Sequence, residues 1–123
     1  MNYGNVLNEF FIEVPELKEM FEKRRLARNI ELNEGAYVLW GIALYPCIIQ
    51  LFDDKETNKN LLKKVFDFFE KMAQCEDERV RELLMYGILE ELGDDKNILE
   101  NSRIFMREKT KVLSECIESF FGR

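Results

Sequence analysis

Carboxylates are the side chains of this 123-residue sequence that lie close enough together to suggest chemistry. Eight fall between residues 76 and 95 (Glu76, Asp77, Glu78, Glu82, Glu90, Glu91, Asp94 and Asp95), against two bases, Arg79 and Arg81. Paired carboxylates perform acid–base work when a cleft drives their pKa values apart. Here they fall on a helix surface and at turns, with no glycine-rich phosphate loop nearby. Asp94-Asp95-Lys96-Asn97 lacks the ligand spacing of a calcium loop. Histidine is absent from the sequence, which removes the commonest general base and every Ser-His or Cys-His nucleophile pair. Cys47, Cys75 and Cys116 are widely spaced and form no CxxC pair, so neither a zinc site nor a redox pair is expected. These residues predict a protein that is not an enzyme and takes no metal or cofactor, with reduced thiols of the cytosolic kind.

Binding chemistry remains. The formal charge of −6 comes entirely from residues 76–95, because the rest of the chain carries 16 acids and 16 bases. Helix ends explain part of the excess: Glu76, Asp77 and Glu78 precede one helix and Asp94-Asp95 the next, where negative charge is favoured. Glu90 and Glu91 fall in a last helical turn, where the dipole disfavours them. At 100° per residue, Arg79, Glu82, Tyr86 and Glu90 share the face opposite Val80, Leu84, Ile88 and Leu92. A tyrosine between two glutamates suits a basic protein partner, since tyrosine is enriched in binding hot spots. The candidate site is therefore Glu82, Tyr86 and Glu90, with Glu91, Asp94 and Asp95 as an acidic rim. Lys23, Arg24, Arg25 and Arg28 complement the end of an earlier helix; in a net acidic chain they do not predict a nucleic-acid surface.

These side chains must be positioned by the stretch 36–52, AYVLWGIALYPCIIQLF, which holds the only tryptophan. Apolar on every side, it is expected to be wrapped completely. Seventeen residues is the lower edge for spanning a bilayer; Pro46 and Gln50 interrupt the run and its flanks are acidic, so no membrane span is expected. The opening MNYGNVLNEF has no basic run, so no signal peptide is expected and the cytoplasm is the default location. Asn33 is a candidate cap for the central helix, and Pro46 should kink it by removing the bond to the Ile42 carbonyl. Two short strands broken at Tyr45-Pro46 are the alternative, disfavoured because no other stretch offers a partner strand.

Around it the pattern predicts helices over 5–13 and from Pro15 to about Asn29, then an amphipathic helix over 57–74. A further helix spans 78–92, capped by Asp77 and closed by Gly93 in the C′ role. Two more follow, over 96–106 behind Asp94 or Asp95, and over 109–121 on the pairs Val112/Leu113, Cys116/Ile117 and Phe120/Phe121. The ten phenylalanines are expected in the core. The fold predicted is one all-α domain over 1–123, an irregular bundle of five to six helices.

Asp77-Glu78-Arg79-Val80-Arg81-Glu82-Leu83-Leu84, continuing to Leu92-Gly93-Asp94-Asp95, resembles the second helix of a HEAT repeat. With the preceding LLKKVFDFFEKMAQ, residues 57–92 look like one HEAT-like helix–turn–helix packed on the buried central helix 36–52. The first helix is richer in phenylalanine than the consensus, and no second copy is present, so a long solenoid is not implied. More particularly, VFDFFEKMAQCEDERVRELLMYGILEELGDD followed by MREKTKVL is similar to a family of small bacterial helical proteins. Some relatives of that kind are encoded beside polymorphic toxins and look like immunity proteins. The resemblance implies a cytoplasmic, antitoxin-like protein that neutralises a basic toxin by occluding it. The alternative is a helical adaptor that takes a peptide or helix in an apolar groove near Pro46.

Overall fold

The computed structural model describes all residues, 1–123, and contains seven packed helices and no strand. Helix α1 is Val6–Glu13, and α2 covers 15–27 as a 3-10 turn, Pro15–Leu17, running into Lys18–Ala27. Helix α3 is Ala36–Asp54, α4 is Lys59–Ala73 and α5 covers 78–93. Helix α6 is Lys96–Arg103 and α7 is Glu108–Phe120. The sequence reading gave five to six helices. All seven stretches with a helical pattern form helices, with the break at Val14-Pro15 where the proline predicts it, and 96–106 stops at Arg103, before α7 begins.

The core forms where α1, α3 and α4 meet. On α4, the helix expected to be amphipathic, Leu62, Val65, Phe66, Phe68, Phe69 and Met72 are buried. Trp40 from α3 packs edge-on against Phe10 of α1, with centroids 5.4 Å apart, and stacks at 6.4 Å on Phe68. Phe10 meets Phe68 edge-on at 5.2 Å, so three helices share one aromatic contact. Eight of the ten phenylalanines are buried or half-buried; Phe120, 78% exposed, and Phe121 are not.

Helix α3 departs from the expectation of complete wrapping. Leu39, Trp40, Ala43, Leu44, Cys47, Ile48 and Leu51 are buried, but Tyr37 and Ile42 are exposed, and 39% of its most apolar window is buried. Its length and composition would suffice to cross a membrane; in this fold the helix supplies the core. A wide π turn, Leu39–Leu44, precedes Pro46, with the Tyr45 amide donating to the Trp40 carbonyl. Pro46 cannot donate to the Ile42 carbonyl, and Arg24 Nε on α2 does so instead, at 3.3 Å. Arg24→Met is expected to cost about 0.5–1.5 kcal/mol, the worth of one such bond. A urea midpoint unchanged from the parent protein would show that solvent serves that carbonyl equally well. Asn33 does not cap α3. Gly35 holds that position at φ 102°, a conformation open to glycine, and no side chain caps the helix start.

The chain's end is organised by two buried glutamates. Glu70, counted with the polar side of α4, is buried and accepts from the Thr110 amide (2.9 Å), the Lys109 amide (3.1 Å), Thr110 Oγ1 (2.9 Å) and Gln74 Nε2 (3.0 Å). A side chain of α4 thereby caps α7, whose own N-cap residue, Arg107, supplies no cap. The capture sets the rotation of α7: Thr110, Ser114, Ile117 and Glu118 face inward, while Val112, Cys116 and Phe120 face solvent. The expected apolar face of α7 is thus correct at Leu113 and Ile117 and wrong elsewhere. Gly93 is not a left-handed C′ residue either. It stays helical and buried, and a Cβ there would collide with the Glu118 carboxylate and the Arg123 guanidinium.

Candidate protein-binding face

Helix α5 carries the sequence-predicted site, and its start is fixed by one carboxylate. Asp77 Oδ1 accepts the Arg79 amide at 3.0 Å, the expected cap, while Oδ2 accepts the Tyr3 amide at 2.9 Å. These bonds hold the Asp77 carboxyl below its ordinary pKa, the Tyr3 amide contributing most. Val80, Leu83, Leu84, Ile88, Leu89 and Leu92 bury the inner side. On the outer side Tyr86 is 47% exposed between half-buried Glu82 and Glu90, and Glu91 is exposed.

A π turn, Met85–Leu89, lies in the middle of this face. The extra residue in that turn advances the outward position by one. The outer row therefore runs Glu82, Tyr86, Glu91, with Glu90 turned to its flank, where regular periodicity had placed Glu90 in the row and Glu91 beside it. Glu82, Glu90 and Glu91 form no salt bridge within the chain.

The other two predicted residues have internal duties. Asp94 pairs with Arg123 Nη1, and the same guanidinium reaches Glu118 at 3.2 Å and the Glu90 carbonyl at 2.7 Å. Asp95 caps α6, accepting the amides of Asn97 at 3.0 Å and Ile98 at 3.3 Å. Their charge still contributes to the local field, but their oxygens are engaged.

A second helix adds what the sequence did not reveal. The π turns of α3 and α5 cross where each helix has a glycine: a Cβ on Gly41 would lie 3.8 Å from the Gly87 carbonyl oxygen. A Cβ on Gly87 would lie 3.2 Å from Leu83 Cδ1 and 3.7 Å from Tyr37 Cδ1. This close approach brings Tyr37, 43% exposed, beside the acidic row. Burial, then the proximity of Tyr3, Glu82 and Tyr86, raises the Tyr37 hydroxyl pKa. Tyr45, half-buried further along α3, is raised far more by burial, then by Glu91, Asp94 and Asp95. All four tyrosines of the chain thus lie around the outer side of α5, with the Arg79 guanidinium 5.2 Å over the Tyr3 ring. The one signal in the sequence was the matched pair Gly41 and Gly87.

This face offers carboxylates as acceptors, tyrosines as amphipathic contacts and a net negative field, which is recognition chemistry for a cationic surface. No three Cys, Asp or Glu side chains converge as metal ligands would. Cys47 is buried, its thiol donating to the Ala43 carbonyl at 3.3 Å and its pKa pushed up by burial; Cys75 is half-buried and Cys116 exposed. The groove beside Pro46 carries Lys23, Arg24, Arg28 and Gln50 around the apolar side chains of Met20, Ala27 and Cys47.

Residues 7–121 match the model of one protein family, a domain of unknown function, DUF7674. No curated protein and no solved structure matches the chain.

Proposed function

The chain belongs to the DUF7674 family, and we propose that it acts by stoichiometric binding of a basic protein on the outer face of α5. In this reading it is a cytoplasmic, immunity-type protein that neutralises its partner by covering the partner's active surface, without catalysis of its own. The observation that supports it is the unpaired acidic row Glu82, Tyr86, Glu91, flanked by Glu90 and bordered by Tyr37. Exposed tyrosines anchor protein contacts at low entropic cost, and a one-signed field speeds encounter with an opposite charge. Asp94 and Asp95 enter as background charge.

The test is capture of partners from the producing cells with the tagged protein at low and high salt. One basic protein is expected at one-to-one stoichiometry, weakening as salt screens the contact. Glu82→Lys with Glu91→Lys should weaken that pair by roughly tenfold or more, since close interfacial charge pairs couple by about 1.5 kcal/mol or above. The melting temperature should not move, because neither side chain has an internal partner. A double variant that binds as tightly as the parent would remove this face from the interface.

A further inference from the structure

The molecule carries a second charged surface, opposite in sign to the α5 face. A groove of about 640 Å³ opens between the first half of α4 and the segment 104–107 that leads into α7. Lys59, Lys63 and Arg107 line it, with Asp67 as the one acid. Lys59 and Lys63 are exposed and form no salt bridge within the chain, while Arg107 reaches Asp67 only at 3.8 Å. The groove also has an apolar part. Phe105 is half-buried against Phe66 and Phe52, with centroids 6.1 Å and 6.2 Å away, and Ile104 beside it is 70% exposed.

An occupant complementary to this groove presents carboxylates on either side of an amphipathic or apolar side chain. The α5 face of another molecule is such a surface. Glu82 and Glu91 are unpaired there, and Tyr86 between them is 47% exposed. The two surfaces share no residue, and no acid of 76–95 pairs with a cation of the groove inside one chain. Both therefore stay open to a different molecule. Single exposed ion pairs are worth little, so the contact depends on several cations acting together with burial of Ile104 and the tyrosines.

We propose that a second copy of this chain docks its α5 face in the groove between α4 and 104–107, with Glu82 and Glu91 toward Lys59, Lys63 and Arg107. The contact is head to tail. Each molecule gives its acidic face to one neighbour and its groove to another, so repetition closes a ring or extends an open chain. This docking rests on the α5 face being a binding surface, as the proposed function has it. A second copy and the basic partner would therefore exclude each other there.

Sedimentation velocity of the purified chain tests this without any partner. At low salt the mass is expected to rise above that of one chain as concentration increases. It should return to one chain at high salt, where the charges are screened. Lys59→Gln with Lys63→Gln, and separately Glu82→Gln with Glu91→Gln, should each weaken self-association by roughly tenfold or more. None of these side chains has an ion-pair partner inside the chain, so both variants should melt with the parent. Mixed together, the two variants retain one intact groove and one intact acidic face between them, and should form pairs of chains and nothing larger. In the capture experiment the lysine variant should hold the basic partner as the parent does, because its α5 face is unchanged. Self-association with no partner captured supports the docking and removes the proposed function; a captured partner with a monomeric chain does the reverse. A parent that is monomeric at every concentration, whether or not an oligoglutamate peptide enters its groove, would overturn the docking, and so would assembly that the lysine variant leaves unchanged.

Discussion

Trp40→Ala is expected to destabilise the protein by about 3–5 kcal/mol, the range for truncating a large buried aromatic side chain. Whole domains are stable by about 5–15 kcal/mol, so this one change removes a large fraction of the total. The size follows from position. Trp40 is completely buried and joins α3 to both Phe10 of α1 and Phe68 of α4. Its loss would leave a hole where three helices meet, and helices with a π turn and a proline in α3 are poorly placed to collapse into it. Trp40→Phe keeps an aromatic ring and removes the orphaned indole N–H, so its loss should be clearly smaller. Urea unfolding followed by far-ultraviolet circular dichroism makes the measurement without relying on tryptophan emission. A midpoint shift equivalent to less than about 1 kcal/mol would show that the core is held elsewhere, for instance around Phe66, Phe69 and Met72 of α4.

Glu70→Ala is expected to cost about 2–4 kcal/mol. Two buried donors left unpaired cost at least about 1 kcal/mol each, and the lost cap is one of them, so it adds nothing separate. The buried donors in question are the Thr110 amide and hydroxyl. Glu70→Gln keeps one acceptor oxygen and should recover part of that loss.

Acid sensitivity separates these variants further. Burial on its own would raise the Glu70 pKa, but the hydrogen bonds from Thr110, Gln74 and Lys109 outweigh it and hold the carboxyl below its ordinary value of 4.5. A depressed folded pKa means that the unfolded chain takes up the proton first on acidification. The contribution of Glu70 is therefore fully present above the ordinary carboxyl range and is lost as pH falls through the folded pKa. The parent should lose stability below about pH 4.5 more steeply than Glu70→Gln, which has no proton to gain there. Parallel stability profiles for the two proteins would show that Glu70 acts by shape alone. Opening of α7 should be the visible consequence in hydrogen exchange, with amides beyond Thr110 losing protection first.

The two effects differ in how far the sequence announces them. Trp40 stands in a long apolar run and could be assigned to the core from hydropathy. Glu70 could not be assigned, because Thr110, the partner that buries it, lies 40 positions away and carboxylates in an amphipathic helix are ordinarily solvated. The same contrast runs through the acidic face. Charge localisation and helical spacing brought Glu82, Tyr86 and Glu90 to attention, and Asp77 and Asp95 follow the capping rule. The π turn exchanged the places of Glu90 and Glu91. Arg123 engaged Asp94 from the far end of the chain. Tyr37 and Tyr45 joined the face through a helix crossing that sequence periodicity does not encode.

What the sequence by itself determined is the local and the cumulative: an all-helical chain, the main apolar rows, the Val14-Pro15 break, the cap at Asp77, a cap at Asp94 or Asp95, and the concentration of charge over 76–95. Each depends on neighbours within a few residues or on sums over a segment, so spacing alone carries it. Tertiary structure decided which faces of α3 and α7 are covered, why Gly93 is glycine, and which acids remain unpaired. Those outcomes depend on the approach of helices remote in the chain. A single carboxylate at Thr110 can decide which residues of a helix are covered without changing its pattern.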